Sequence, residues 1–220
     1  MPNFIEGEVL LIDKPLTWTS FDAVNKLKYA LQRATGLKKI KVGHAGTLDP
    51  LASGLLIICT GKKTKTIESI QAQEKEYTGI IQLGATTPSY DLETEPENFK
   101  DIGHLTEVHL KQIAKDMEGE VEQLPPIFSA KKIGGKRAYD LARAGKTPEM
   151  KTKLISIHSF EIEKVEKNEV HFKIACSKGT YIRSIAHDFG QALGVGGYLK
   201  ALRRTKIGVF DVKDAMSVEE

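Results

Sequence analysis

The part of the chain around which the rest can be interpreted is a loop followed by an apolar run, Gly43-His44-Ala45-Gly46-Thr47-Leu48-Asp49-Pro50-Leu51-Ala52-Ser53-Gly54 and then Leu55-Leu56-Ile57-Ile58-Cys59. Glycines permit tight turns and the close approach of another backbone, and Pro50 biases Asp49 toward an extended conformation. The pattern predicts a stiff loop that displays one carboxylate at the mouth of a buried strand. The residue types alone leave two interpretations open, a catalytic Asp49 on a rigid loop or a simple turn former.

The composition of the 220-residue chain is that of an ordinary globular protein, with 40% hydrophobic and 28% charged residues. No apolar run reaches the length of a membrane span, and the N-terminus lacks the basic and apolar regions of a signal peptide. Both cysteines, Cys59 and Cys176, lie in strand-like apolar runs, as expected for buried thiols in a reducing compartment. We therefore expect a cytoplasmic protein with no membrane partner.

The net charge is only +3, but the basic residues are concentrated in a few segments. No acidic residue occurs between Ala23 and Leu48, while acidic residues gather in 91–101 and 116–122. This segregation favours a polyanion-binding face, and a solvated helix surface is the alternative. The basic residues concerned are Lys26, Lys28, Arg33, Lys38, Lys39, Lys41, Lys62, Lys63, Lys65, Lys131, Lys132, Lys136, Arg137, Arg143 and Lys146.

Hydrophobic periodicity predicts an α+β fold with a mixed or mostly antiparallel sheet flanked by helices, in a single domain over residues 1–220. A helix is expected from a cap at Thr19 or Ser20 to a stop at Gly36. Its predicted inward residues are Phe21, Val24, Leu27 and Leu31. The polar segment 86–99 indicates a surface loop. The other predicted elements are strands at 8–13, 55–59, 76–83, 153–165, 169–176 and 207–212, and helices at 66–70, from Thr106 to Gly119, at 137–144 and after Arg183.

Spacing excludes several common sites. Gly54 and Gly61-Lys62 do not have the spacing of a phosphate-binding P-loop, and the G-x-S-x-G signature of serine hydrolases is absent from the sequence. The two cysteines are far apart and the histidines form no metal-ligand pattern, so no metal site is expected. The histidines are His44, His104, His109, His158, His171 and His187.

One loop acid, a few aromatic and arginine residues and basic flanks are enough for chemistry on a nucleobase. Asp49 can act as a nucleophile or as an acid/base group. A carboxylate that must stay ionised in a closed pocket needs a cationic neighbour, and Arg183 is the best candidate because arginine keeps its charge. Tyr77 or Tyr181 can stack on a base.

The motif from Gly43 to Gly54 resembles the catalytic motif of the bacterial tRNA pseudouridine synthase B family. Further motifs occur in the order in which that family has them, and together they cover nearly the whole chain. These motifs are Val9-Leu-Leu-Ile-Asp-Lys14-Pro15, Lys75-Glu-Tyr77, Ser129-Ala-Lys-Lys132, Cys176-Ser-Lys-Gly-Thr-Tyr181-Ile-Arg183 and Leu202-Arg203-Arg204.

The resemblance implies a pseudouridine synthase fold and a role for each matching residue. Asp49 is the implied catalytic aspartate, Arg183 its ionic partner, and Tyr77 the ring that stacks on the target uracil. The implied substrate- and RNA-binding residues are His44, Lys14, Asp91, Lys132, Tyr181 and Leu202. For several of these residues a plainer role stays open: a structural salt bridge for Arg183 and a core position for Tyr77. A hydrogen bond within the loop is the alternative for His44, a local cap for Lys14, and core packing for Leu202.

The implied reaction converts the T-loop uridine of tRNA to pseudouridine without a cofactor or an energy source. The uracil leaves the RNA stack, its bond to the sugar nitrogen breaks, and it is rejoined through carbon. The expected partner is the T arm of tRNA, bound by a monomer. The lysine clusters would contact phosphates and position the substrate.

Two departures from the family pattern bear on these expectations. The chain ends at Glu220, where many family members continue into a small RNA-binding domain of the PUA type, and we expect no such domain here. The segment from Thr86 to Asp91 also differs from the commoner pattern. Two other functions are considered: an RNA-folding chaperone that uses the same cleft without turnover, and a guide-RNA-dependent synthase, which would need partner-binding extensions.

Overall fold

The computed structural model describes residues 3–129, 132–145 and 149–219. The elements, in chain order, are β1 (Val9–Lys14), α1 (Ser20–Thr35), β2 (Val42–His44), β3 (Ala52–Thr60), α2 (Ile67–Ala72), β4 (Lys75–Leu83), α3 (Glu107–Asp116), β5 (Gly119–Gln123), β6 (Lys132–Ile133), β7 (Lys136–Arg137), α4 (Ala138–Arg143), β8 (Lys153–Glu166), β9 (Glu169–Cys176), α5 (Ile182–Ala192), β10 (Gly197–Ile207), β11 (Phe210–Asp211) and β12 (Met216–Ser217), with 3-10 helices at Gly61–Thr66 and Val212–Asp214. Within these described ranges, none of the helices has the length and apolar character needed to cross a membrane.

The chain divides into two compact units. The first contains Met1–Thr78 and Leu202–Glu220, and the second contains Gly79–Ala201. The chain passes from one unit to the other inside β4 and again inside β10, so neither boundary falls in a linker. The organisation of residues 1–220 as one domain stays a prediction.

The sheet of the first unit is built around β3. This strand runs antiparallel to β1 and to β2, and parallel to the end of β10, where Leu202 pairs with Ala52. The outer strand β12 is parallel to β1. The sheet is therefore mixed, as the sequence predicted.

Strand β3 is buried on both faces, which explains its uninterrupted apolar sequence. On one face it packs with Ile70 and Ile207. On the other it packs with Ala23 and Val24 of α1. The β3 residues of the first cluster are Leu55, Ile57 and Cys59, and those of the second are Leu56 and Ile58. The alternation of side chains along the strand thus joins two small cores.

Helix α1 begins and ends where its capping residues predict. The Thr19 side chain accepts a hydrogen bond from the Asp22 backbone N–H, and the Asp22 carboxylate accepts one from the Thr19 N–H. Gly36 ends the helix in the left-handed conformation, with φ 71°. The predicted inward position of Phe21 is wrong, because its side chain is 68% exposed. Ser20 occupies the buried position of this turn instead.

The second unit contains an antiparallel sheet in which β8 pairs with both β5 and β9. The predicted hairpin of β8 and β9 is confirmed. Phe160 of β8 contacts Phe172 of β9 and Phe189 of α5, so ring packing fixes that helix on the sheet. Strand β5 was not predicted, because it is a short strand of mostly polar and acidic residues and its partner β8 lies far along the chain.

Two sequence predictions are corrected by the structure. The strand predicted at 207–212 is interrupted: β10 ends at Ile207, Gly208 has a φ of +53°, and the chain turns back into β11. The segment 86–99 is not simply a surface loop, because Ser89 and Asp91 are buried in it. Hydrogen bonds within the segment satisfy some of its polar groups: the Ser89 hydroxyl donates to the Asp91 carbonyl, and the Glu93 N–H donates to the Asp91 carboxylate. Such bonds lower the cost of burying a polar sequence.

Replacing Thr19 with alanine should lower the free energy of unfolding by about 1 kcal/mol, because the cap of α1 loses its side-chain acceptor. In a chain of this size the melting temperature falls by about 2–4 °C for such a loss. Thermal unfolding followed by circular dichroism measures the change. Thr19→Ser is the control that keeps the hydroxyl, and equal melting temperatures for the two variants would contradict the assignment of the cap.

Candidate active site

The loop that carries Asp49 connects β2 to β3 and is fixed by backbone hydrogen bonds. Leu48 donates its N–H to the buried Ser20 hydroxyl at 2.9 Å, and that hydroxyl donates to the Leu48 carbonyl at 3.1 Å. Thr17 donates its N–H to the Pro50 carbonyl at 2.8 Å. The Asp49 side chain is partly exposed between these two anchors. The loop thus holds Asp49 on a fixed backbone at a partly exposed position.

Arg204 holds the same loop from β10. Its side chain is only 2% exposed, and its guanidinium donates to the carbonyls of Leu55 at 2.8 Å, Gly46 at 3.0 Å and Thr47 at 3.4 Å. A rigid, permanently charged fork can satisfy several carbonyls at once. Arg204 belongs to one of the motifs that resemble the family, but the motif alone implied no role for it. The signal that could have indicated a role for Arg204 is its position two residues after Leu202, a predicted pocket residue.

Gly54 makes the contact between β3 and β10 possible. It pairs with Lys14 of β1 on one side and with Arg204 of β10 on the other. Its φ is +102°, and a Cβ added here would lie 2.3 Å from the Arg204 carbonyl oxygen. Glycine is therefore required by the close approach of the strands as well as by the backbone conformation.

Lys14, which pairs with Gly54, is a second buried cation in this part of the sheet. Its side chain is fully buried, and its ammonium donates to the carbonyls of Pro15 at 2.8 Å and Trp18 at 2.7 Å. Burial lowers the pKa of Lys14 to about 8, the carboxylate of Asp49 opposes this shift, and the charge of Arg204 adds to it. Lys14 thus holds the turn after β1 and influences the charge around Asp49.

The other predicted residues of the first unit lie on its strands. His44 ends β2, and burial lowers its pKa, so that its ring is neutral near pH 7. Among the described residues its Nδ1 has no hydrogen-bond partner. Tyr77 of β4 is buried, and Leu202 of β10 is partly buried. Their contacts with RNA stay predictions.

In the second unit the structure brings Arg183 and Asp91 together. Both side chains are buried, at 6% and 5% exposure, and Nη1 of Arg183 lies 3.5 Å from Oδ2 of Asp91. The same nitrogen donates to the Phe128 carbonyl at 2.9 Å. The sequence did not predict this pairing of two site residues. The pairing of Arg183 with Asp49 stays a prediction.

Tyr181 lies immediately before α5, and its backbone is held by Gln123. The buried Gln123 side chain accepts from the Tyr181 N–H at 2.8 Å and donates to the Tyr181 carbonyl at 3.0 Å. Gln123 was missed because nothing near it in the sequence suggests a partner 58 residues away. Lys132 belongs to β6, but its side chain lies outside the described residues.

The arrangement can support acid–base or nucleophilic chemistry by a carboxylate. In the first unit, Asp49 lies at a partly exposed position on a braced loop, and a carboxylate held in this way is a suitable group for such chemistry. In the part of the chain that the structure describes, no group of three or more histidine, cysteine, aspartate or glutamate residues is placed to hold a metal ion.

Replacing Arg204 with lysine should lower the free energy of unfolding by about 2 kcal/mol, because lysine keeps the charge but cannot reach all three carbonyls. Hydrogen exchange at the amide of Leu48 should accelerate as the loop loses its support. Arg203→Lys is the matched control, since Arg203 pairs with Asp13 at a half-exposed position and such pairs contribute about 1 kcal/mol or less. Equal losses for the two variants would contradict the role given to Arg204.

The stability of the protein should depend on the titration of Lys14. Its folded-state pKa of about 8 lies below its ordinary value of 10.5, so between these pH values the unfolded chain binds more protons and stability rises with pH. Urea unfolding at pH 7 to 10.5 should show this rise in the wild type relative to Lys14→Met. The exposed Lys213→Met variant is the control, and parallel profiles for wild type and Lys14→Met would refute the prediction.

Comparison with known proteins identifies the family. The family model for the N-terminal domain of TruB family pseudouridylate synthases matches residues 32–182, and that for the C-terminal domain of tRNA pseudouridylate synthase B matches residues 183–220. The family boundary thus differs from the boundaries of the two compact units.

Curated relatives match along nearly the whole chain. The tRNA pseudouridine synthase B of Flavobacterium johnsoniae is 56% identical over 217 residues, which are 98% of this chain and 95% of the relative. That of Phocaeicola vulgatus is 52% identical over 217 residues, 99% of this chain and 92% of the relative.

A solved structure shares the fold. In the crystal structure of a Cbf5-Nop10-Gar1 complex, one chain superposes with a TM-score of 0.73 at 28% identity, over 98% of this chain and 53% of that one. This chain therefore spans about half the length of that structure's chain. The predicted pseudouridine synthase fold is confirmed, and the chain belongs to the TruB family of pseudouridylate synthases.

Proposed function

We propose that the protein converts the T-loop uridine of tRNA to pseudouridine, acting as a cytoplasmic monomer without a cofactor. Family membership supports the reaction, and relatives more than 50% identical along nearly their whole length carry the name tRNA pseudouridine synthase B. The T arm as the bound part of the tRNA, the monomeric state and the cytoplasmic location come from the sequence analysis and belong to the proposal.

The braced loop of Asp49 is the observation that carries this proposal. Ser20 holds the loop through the backbone of Leu48, and Arg204 holds it through the carbonyls of Gly46 and Thr47. A reacting group works best when its neighbours fix its position before the substrate binds. The partly exposed carboxylate of Asp49 meets that requirement.

The reaction is an isomerisation in which all atoms are retained. The bond between N1 of uracil and C1′ of ribose breaks, the base rotates, and a bond between C5 and C1′ forms. The proton on C5 is lost and N1 gains one, so that no oxidant or reductant takes part. An ionised Asp49 can attack the sugar, add to the base or accept a proton, and each route starts from the same carboxylate.

Arg183 and Tyr77 complete the proposed catalytic set. The Arg183 guanidinium is held by Asp91 and by the Phe128 carbonyl, and we propose that it keeps Asp49 ionised through its fixed charge. The Tyr77 ring is proposed to stack on the uracil once the base has left the RNA. Stacking and hydrogen bonds in the pocket offset the few kcal/mol that extrusion of a base costs.

Most of the remaining predicted residues are proposed to bind RNA. His44 is neutral near pH 7 because burial lowers its pKa, and a neutral ring suits packing against bases better than contact with phosphate. Leu202 is proposed to line the base pocket. Contacts with the RNA are proposed for Lys132 and Tyr181. The buried Lys14 and Asp91 are proposed to support the residues around them, Lys14 through the turn after β1 and Asp91 through Arg183.

Asp49→Asn should abolish isomerisation while leaving RNA binding intact, because asparagine keeps the shape of the side chain and removes its charge. The measurement is tritium release from a tRNA transcript labelled at C5 of uridine, with no cofactor added. We expect the wild type to release one tritium per T-loop target and the variant to release none. Filter binding of the same transcript reports whether the variant still holds RNA.

Asp101→Asn serves as a matched control, since Asp101 is an exposed loop aspartate outside the proposed site. It should release tritium like the wild type. Full release by Asp49→Asn would show that Asp49 is not catalytic. Absence of release by a folded wild type that binds the tRNA would overturn the proposed reaction and favour an RNA-folding chaperone instead.

A further inference from the structure

The outer face of α1 carries an exposed aromatic side chain between two basic ones, of which Lys26 pairs with Glu219 at 4.0 Å and lies over the Trp18 ring. Lys26, Tyr29 and Arg33 follow one another at helical spacing and lie opposite the buried residues Val24 and Leu31. Tyr29 is 61% exposed. An aromatic side chain flanked by two basic ones on a solvent face is a surface feature that requires an explanation.

A groove forms where this face meets the end of the helix. Gly36 reverses the chain in the left-handed conformation, and the Gln32 side chain then donates to the Lys38 carbonyl at 2.7 Å. The segment after the helix is thereby held against its last turn. We call this concavity the Tyr29 groove, and its lining residues are Tyr29, Gln32, Arg33, Gly36, Leu37 and Lys38.

The cations of the Tyr29 groove are free to bind an anion. The sequence from Ala23 to Leu48 has no acidic residue, and across the described ranges no carboxylate lies within ion-pairing distance, 4.0 Å, of Arg33 or Lys38. Helix α3 shows the opposite arrangement, since its exposed Lys111 and Lys115 each pair with a glutamate. Within the described residues, the cations of the groove are therefore not paired with acidic groups of the protein itself.

The chemistry of the groove favours RNA over other anions. Unpaired lysine and arginine bind phosphates, and an exposed ring beside them offers a stacking surface to an unpaired base. A lipid surface would require several apolar side chains around the cations, and Tyr29 is the one large exposed apolar side chain among the lining residues.

The groove is rigidly connected to the loop of Asp49. Helix α1 begins at Ser20, whose hydroxyl is hydrogen-bonded to Leu48, and Arg33 lies thirteen residues further along, about 20 Å at 1.5 Å per residue. This is too far for a contact with the target nucleotide itself. An RNA bound in the groove would be held at a fixed distance from the catalytic loop.

We propose that the Tyr29 groove is a second RNA-binding surface, in which Arg33 and Lys38 contact two phosphates and Tyr29 stacks on an unpaired base of the tRNA. The identity of the RNA as tRNA rests on the proposed function. The groove fixes the substrate away from the target uridine, so that it contributes to binding and not to the chemical step.

The experiment measures binding of a tRNA transcript in an Asp49→Asn background, where no turnover occurs. Arg33→Ala/Lys38→Ala should weaken binding at least tenfold at low salt, and the slope of log Kd against log salt should become shallower by about 1.5, as expected for two lost phosphate contacts. Lys111→Ala/Lys115→Ala on α3 removes the same charge from paired, exposed positions and is the matched control.

Tyr29 is tested separately because stacking and charge give different signatures. Tyr29→Ala should weaken binding about tenfold without changing the salt slope, and Tyr29→Phe, which keeps the ring, should restore most of the loss. In the otherwise wild-type enzyme, the groove variants should raise KM for tRNA and change kcat by less than twofold.

Equal affinity and equal salt slope for the groove double variant and the α3 control would overturn the proposal. A lower kcat at unchanged KM would also overturn it. Because binding is measured without turnover, the two proposals can fail independently: absence of tritium release with loss of affinity in the groove variants would refute the reaction and support the groove.

Discussion

The buried guanidinium of Arg204 is the contact on which the geometry of the first unit depends. It donates to carbonyls of Gly46, Thr47 and Leu55, which belong to the Asp49 loop and the strand after it. Moving a charge from water into the protein interior is costly unless its hydrogen-bond donors are satisfied. The loop must therefore stay where its carbonyls accept hydrogen bonds from the guanidinium. The missing side chain of Gly54 lets the two strands approach closely enough for this.

Each unit contains buried polar groups that hold predicted site residues. Lys14 and Arg204 lie in the first unit, and Asp91, Gln123 and Arg183 in the second, each with its polar atoms directed at backbone or at an opposite charge. Apolar residues would build these cores at lower cost. Buried polar groups of this kind are common at functional sites, where they fix the position of neighbouring groups.

Helix α1 links two surfaces of the first unit. Its first residue, Ser20, holds the Asp49 loop, and its last turn forms the Tyr29 groove. The inner face packs on β3 through Ala23 and Val24, so the helix cannot move without disturbing the core. Because one packed helix carries both surfaces, their separation stays constant.

The sequence by itself determined the elements whose signals are local. The caps of α1, the apolar run of β3, the β8–β9 hairpin and the Asp49 loop are all present, because capping, periodicity and turn chemistry involve only neighbouring residues. The motifs also indicated the family, since their order along the chain needs no structure.

Tertiary structure alone decided the features that depend on distant partners. Phe21 faces outward because the Ser20 hydroxyl meets Leu48 of the loop. Asp91 is buried because Arg183 lies beside it, and β5 exists because β8 supplies its hydrogen bonds. The role of Arg204 likewise comes from carbonyls about 150 residues earlier. Each of these contacts joins residues that the chain brings together only on folding, and no local pattern records them.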